Sequence, residues 1–150
     1  MKRTIWFDMD GTIANLYGVT DWLPKLRAYD ASPYAEAEPM LNMSLLARYL
    51  NKLKAMGYTI GINSWCSKCS NIYYDMDVAA EKQQWLYRHL RSVRWDYIRI
   101  TQYGTPKQSL MKATDDILFD DNEDIRNEWL GEAYEPKDIF NVLKELIEKG

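Results

Sequence analysis

Acidic residues recur in this sequence where short apolar runs end. Asp8 and Asp10 follow Thr4 to Phe7, Asp120 and Asp121 follow Ile117 to Phe119, Ser64 closes the run Tyr58 to Asn63, and Lys107 lies beyond Tyr97 to Thr101. In an open parallel sheet, ligands bind outside the carboxyl ends of the strands, so strands formed by these runs would bring the six side chains to one rim. Two like charges about 4 Å apart repel by roughly 1 kcal/mol in water and by several times that near a protein surface, so such a crowd of carboxylates needs a cation. Hard oxygen donors without imidazole or thiolate select Mg2+ over zinc, and Mg2+ in such sites bridges carboxylates to phosphate oxygens. The chemistry indicated is phosphoryl chemistry.

The surrounding elements must deliver that convergence. Thr4 to Phe7 is β-branched and aromatic and stops abruptly at a polar run, which reads as a buried strand and a loop. Residues 13 to 41 are irregular, with Pro24, Pro33 and Pro39, and a short helix near 21 to 29 is expected there. From Asn42, an N-cap candidate, Leu45, Leu46, Tyr49, Leu50, Leu53 and Met56 recur at helical spacing until Gly57. A strand at Tyr58 to Asn63 follows, then a helix over Asp77 to Leu90 with Ala80, Trp85, Leu86 and Leu90 near one face, and a strand at Tyr97 to Thr101. Thr105-Pro106-Lys107-Gln108 has the pattern of a capping box with Pro at the first helical position. Ile117 to Phe119 is a further strand, Glu123 to Gly131 a helix, Ala133-Tyr134 a brief strand, and Pro136 to Lys149 the last helix. This alternation implies an α/β fold, with right-handed βαβ units forming a parallel sheet covered by helices on both faces. One domain is expected over residues 1–150, with a small cap-like insertion at about 13–41.

Composition excludes several other classes. A chain of 150 residues with 47% hydrophobic and 27% charged residues suits one globular domain able to bury a core. With 19 Lys plus Arg against 22 Asp plus Glu, the formal net charge is -3, and strong nucleic-acid binding is not expected. No apolar run approaches the length of a membrane span, and Met-Lys-Arg-Thr leads into a strand-like run rather than a signal sequence, so a cytoplasmic location is expected. Two Cys and one His cannot build a disulfide framework or a Cys/His zinc site.

The run Asp8-Met9-Asp10-Gly11-Thr12 after a strand, Ser64 after a second, Lys107 before a helix and Asp120-Asp121 after a further strand resemble, in order, the four motifs of the haloacid dehalogenase-like (HAD) superfamily of phosphatases. The likeness extends from residue 5 to residue 124, and its first motif is the most specific. It implies a Rossmann-like sheet and a Mg2+-dependent phosphomonoester hydrolase. In that reading Asp8 is the nucleophile that forms an aspartyl-phosphate. Asp10 protonates the leaving oxygen and then activates water, Ser64 hydrogen-bonds the phosphoryl group, and Lys107 neutralises its charge and holds Asp8. Asp8, the Asp10 carbonyl and Asp121 would ligate Mg2+, with Asp120 as a further or water-mediated ligand. A cation in the first turn of a helix is disfavoured by the macrodipole, so a phosphate partner explains Lys107 better than helix stability does. Asp10 also separates the chain from dehalogenases, which do not use that residue. The run Asp10 to Tyr17 and the Lys-to-Asp-Asp segment are similar to 5'(3')-deoxyribonucleotidases, though their helical cap is missing. A nucleotide therefore heads the expected substrates, and a small one could be enclosed by the insertion and a second copy of the chain.

Other readings of these residues remain. Asp120, Asp121, Glu123 and Asp124 could decorate a helix start, which is favourable and common; Glu123 and Asp124 are read that way. His89 is expected to pack on its helix. Trp65-Cys66-Ser67-Lys68-Cys69 resembles the thioredoxin motif, so a thiol redox protein using Cys66 and Cys69 is one alternative. A phosphatase of a macromolecular end or phosphoprotein is another, and a noncatalytic metal or phosphate-binding module a third. Tyr17, Trp22, Tyr29, Tyr34 and Trp65 fall near the rim, where a ring could stack a nucleobase or simply pack the insertion onto the sheet.

Overall fold

Short β-branched and aromatic runs make the strands, and amphipathic runs make the helices that cover them. A computed structural model describes residues 2–150; Met1, where the leader expectation begins, lies outside them. The order is β1 (Thr4–Phe7), β2 (Ala14–Asn15), α1 (Trp22–Arg27), α2 (Ser32–Glu36), β3 (Glu38–Pro39), α3 (Met43–Ala55), β4 (Thr59–Trp65), α4 (Ile72–His89), β5 (Tyr97–Thr101), β6 (Ile117–Phe119), α5 (Glu123–Glu128), β7 (Glu132–Tyr134) and α6 (Ile139–Lys149). Strands β5-β4-β1-β6-β7 form one parallel sheet, and β2 pairs antiparallel with β3 in a small separate ribbon. No helix among the described residues is long and apolar enough to cross a membrane.

Strand β1 is buried along its whole length at the sheet centre, where Phe7 is in register with Ile62 on one side and Phe119 on the other. Side chains alternate between the two faces. Ile5, Phe7, Ile60, Ile62, Ile117 and Phe119 share one core with Leu46, Leu50 and Leu53 of α3, Trp85 and Leu86 of α4, and Leu143 and Leu146 of α6. The opposite face carries Trp6 and Leu118 with Trp129, backed by Ile125 of α5 and Met111. Trp6 does there much of what a covering helix would do. Its ring stacks on Tyr97 at 5.3 Å, and it lies so close over Gly61 that a Cβ there would come within 2.5 Å of it.

Several elements differ from the sequence reading. Helix α4 begins at Ile72, where Asn71 caps it by accepting from Tyr74 N at 2.9 Å. Ile72, Tyr73 and Met76 are exposed, so apolar periodicity does not mark its first turn, and Ala80 faces solvent while Val78 is buried. Pro106 is extended and the segment after it is a 3-10 turn, Lys107–Leu110, with no side-chain cap. The Thr105 hydroxyl instead donates to Gln102 O at 2.8 Å. Lys107 is therefore not in the first turn of an α-helix, and the macrodipole expected to disfavour a cation there is absent. The segment 13–41 holds two short helices and the β2–β3 ribbon rather than one helix, packed through Leu16, Leu26 and Tyr34 onto Tyr74 and Val78 of α4. The chain turns in 3-10 geometry at Pro136–Asp138 before α6.

Asp116, fully buried just before β6, ties the two central strands together at their amino ends. Its carboxylate accepts from Thr4 N and Trp6 Nε1, both at 3.1 Å, and from Lys112 N and Ala113 N at 2.8 and 3.2 Å. Replacing it strands several buried donors, each costing about 1–3 kcal/mol. Asp116→Ala is expected to lose about 3 kcal/mol or more in urea unfolding, and a loss under about 1 kcal/mol would contradict the assigned role.

Candidate active site

The chain leaves β1 into a tight turn that carries the first motif. Met9 O accepts from Thr12 N, Ile13 N and Ala14 N at 3.0, 2.9 and 3.0 Å. Asp8 stays attached to the sheet because its N–H donates to Phe119 O at 2.9 Å, and its Oδ2 accepts from Thr12 Oγ1 at 3.2 Å. Gly11 has φ +77, and a Cβ there would collide with Asp121 Oδ2. Only glycine combines that backbone with so close an approach of the second acidic loop. Because β1 pairs with β4 on one side and β6 on the other, Asp8 sits where the strand order reverses, the usual crevice of an open parallel sheet.

Lys107 enters this crevice from the side. Its Nζ donates to Asp8 Oδ1 at 3.0 Å and to Asp120 Oδ2 at 2.6 Å, with all three side chains largely buried. The Lys107 carbonyl accepts from Asn63 Nδ2 at 3.0 Å, which fixes the turn against β4. Burial pulls the lysine pKa down, but the two carboxylates more than reverse this and raise it. Asp120 is held further by Asn122 N, which donates to its Oδ1 at 2.9 Å, while Arg126 Nη1 reaches its carbonyl at 3.0 Å. Glu123 and Asp124 are first-turn acids of α5, and Asn122 is its cap.

Asp8, Asp120 and Asp121 each offer an oxygen within 4.8 Å of the others. Oxygen donors alone, two of the three residues buried, fit a hard divalent cation such as Mg2+ and not a thiophilic one. Burial, and next the charge of Asp8, push the carboxyls of Asp120 and Asp121 up to about 6 and about 7.

Asp10 and Ser64 meet through a residue that the sequence reading missed. Lys82, on the buried side of α4, is 1% exposed. Its Nζ donates to Asp10 Oδ2 at 2.8 Å, to Ser64 Oγ at 2.8 Å and to Trp65 O at 2.7 Å. Burial raises the Asp10 carboxyl against the pull of Lys82. Ser64 is fully buried and is not among the residues lining the cleft. The signal was available: Lys82 stands at helical spacing among Tyr74, Val78, Trp85 and Leu86, where a lone lysine on an apolar stripe implies a buried partner.

Above these groups opens a cleft of about 640 Å³ with Asp8, Asp10, Lys107, Asp120 and Asp121 on its floor. Tyr17, Trp22, Tyr34 and Trp65 line it, as does Tyr103, which the sequence reading did not single out. Tyr29 does not line it and packs edge-on against Tyr74 at 5.5 Å. Tyr17 and Trp22 meet edge-to-face at 5.0 Å, and Trp65 lies 4.9 Å from Tyr103. Cys66 and Cys69 are free thiols on the same wall; burial pushes the Cys66 thiol up, opposite to what thiol exchange needs. His89 packs on Trp85 at 4.5 Å, and burial lowers its pKa.

No protein-family model matches the chain, and no curated protein matches it. Solved structures do share its fold. It superposes on D,D-heptose 1,7-bisphosphate phosphatase from Burkholderia thailandensis with a TM-score of 0.53 and 16% identity, over 87% of this chain and 75% of that one. A chain of the Pnkp1/Rnl/Hen1 complex matches with a TM-score of 0.55 and 15% identity, over 89% of this chain and 45% of that one. The fold shared with them is α/β and Rossmann-type, a five-stranded parallel sheet flanked by helices.

The raised carboxyls give the site a pH signature. A carboxyl whose folded pKa lies above its unfolded value near 4 adds stability below that value and loses it as pH rises through the folded value. For Asp120 and Asp121 that loss runs from about 4 through about 6 and 7, unless a cation takes up the charge. The rise in Tm caused by Mg2+ is expected to be larger at about pH 8 than at about pH 5, and to shrink in Asp121→Ala. An equal rise at both pH values in thermal melts would argue against this metal site.

Proposed function

We propose that this protein is a Mg2+-dependent phosphomonoester hydrolase working through an aspartyl-phosphate, with a nucleoside monophosphate as first substrate candidate. The observation that carries the reading is the Asp8 carboxylate, held by Lys107 at the switch point of the sheet beside Asp120 and Asp121. Asp8, the Asp10 carbonyl and Asp121 would hold Mg2+, and Asp120 would assist directly or through water. The chemistry supplied by the bound ion is charge neutralisation at the phosphoryl oxygens.

The residues of the chain do the rest. An Asp8 oxygen attacks phosphorus, and the bond from phosphorus to the ester oxygen breaks with its electron pair passing to that oxygen. Asp10 gives the leaving oxygen its proton, so an alcohol departs and Asp8 carries the phosphoryl group. Water then attacks phosphorus and gives a proton to Asp10, releasing inorganic phosphate and restoring the Asp8 carboxylate. Lys107 keeps Asp8 oriented and offers positive charge to the transferring group.

The cleft supports a substrate larger than phosphate itself. Its volume suits a nucleotide-sized ligand, and Trp65, Tyr103, Tyr17 and Trp22 offer ring faces and edges to a base. Arg27 and Lys68 also line it and take part in none of the ion pairs among the described residues, which favours an anionic guest. Residues 13–41 act in this reading as a small cap that supplies the aromatic wall.

Hydrolysis of p-nitrophenyl phosphate with Mg2+ is the first test. Asp8→Asn is expected to remove turnover, and Asp10→Asn to slow it by about 10²-fold or more. Full activity in a folded Asp8→Asn protein would overturn the reading. A matched panel of deoxynucleotides, sugar phosphates and phosphorylated DNA ends is expected to rank a deoxynucleotide first.

A further inference from the structure

Lys82 lies outside the motifs that suggested the reaction, yet it touches two of their residues. A lysine on the buried face of an eighteen-residue helix is costly unless its ammonium is paired and hydrogen-bonded. Here the pairing is complete. An ammonium has three protons, and Asp10 Oδ2, Ser64 Oγ and Trp65 O accept all three at 2.7–2.8 Å. Its remaining side faces the Tyr34 ring, 5.1 Å away, so the insertion closes the cage. Lys82 therefore has no donor left for a substrate.

The arrangement still dictates which oxygen Asp10 presents to the cleft. Only Oδ2 of Asp10 is bound by the ammonium, and Oδ1 enters none of the hydrogen bonds among the described residues. Lysine cannot accept, so the Ser64 hydroxyl proton is directed away from it. Lys82 also joins three pieces that fold from distant sequence: the loop after β1, the end of β4 and helix α4.

We propose that Lys82 is a positioning residue for proton delivery: anchored on the end of β4, it fixes Asp10 by one carboxylate oxygen so that the other reaches the leaving-group oxygen. The step it serves is the one in which the bond from phosphorus to the ester oxygen breaks and the Asp10 proton passes to that oxygen, and the proposal rests on the phosphatase reading above. A lysine kept only for packing would affect all substrates alike. One acting through Asp10 matters most when the leaving group is a poor one that needs its proton.

The test compares kcat/KM across substituted phenyl phosphates, from p-nitrophenyl to unsubstituted phenyl, for the wild type, Lys82→Met, Asp10→Asn and the double variant. Because kcat/KM reports steps through departure of the leaving group, the later hydrolysis of the intermediate does not mask the effect. Lys82→Met is expected to lose about 10²-fold on phenyl phosphate and about tenfold less than that on p-nitrophenyl phosphate, steepening the dependence on leaving group. In the Asp10→Asn background the same change is expected to cost less than about twofold. Losses equal for every ester, or losses that multiply with Asp10→Asn, would overturn the proposal. If thermal melts show Lys82→Met unfolded, Lys82→Gln, which keeps a donor at shorter reach, is expected to show the same steepening in weaker form, and a flat loss would count against it. A wild type inactive on every ester would instead refute the phosphatase reading, and this proposal with it.

Discussion

The site depends on compensating carboxylates that the fold forces together. Adjacent parallel strands β1 and β6 end side by side, so Asp8 and Asp120 would repel each other in a poorly solvated crevice without Lys107 between them. The turn carrying that ammonium is itself secured to β4 through Asn63. With every group ionised, the four aspartates of the floor and the buried Lys82 and Lys107 leave a formal excess of two negative charges, the charge of one divalent cation. The pairing is thus incomplete: the two ammoniums offset half of the carboxylate charge, and the remainder is what the proposed cation would offset.

Much of this was legible in the sequence because strand ends carry their own punctuation. Thr4–Phe7 and Ile117–Phe119 each stop at acidic residues, and a parallel sheet sends both ends to the same rim. Asn42 and Gly57 bracket α3 as cap and stop, with the Asn42 side chain accepting from Leu45 N at 3.0 Å and Gly57 adopting φ +102. The brief strand at Ala133-Tyr134 is the sheet edge, paired to β6.

What stayed hidden follows from tertiary context. The start of α4 exposes Ile72, Tyr73 and Met76, so a reading based on periodicity begins the helix too late and leaves Tyr74 off the buried stripe that Lys82 shares with Trp85 and Leu86. Thr105-Pro106 has the letters of a capping box, but Pro106 is extended and the turn that follows is too tight for one. The insertion has no single period because its short helices are held by Tyr34 and Tyr74 and not by their own length. Tyr103 reaches the cleft by packing on Trp65, a contact no linear pattern encodes.

The position of β1 in the middle of the sheet has a consequence for how the molecule assembles. Its two neighbours are contributed by residues 59–65 and 117–119, and the hydrogen bond from Thr4 to Asp116 spans 112 positions. Contacts of such long range are slow to close, because chain entropy must be spent before they return any stabilisation. No contiguous fragment short of most of the chain contains the crevice. A truncation that removes β6 therefore takes away the central strand's partner and the acidic crevice together.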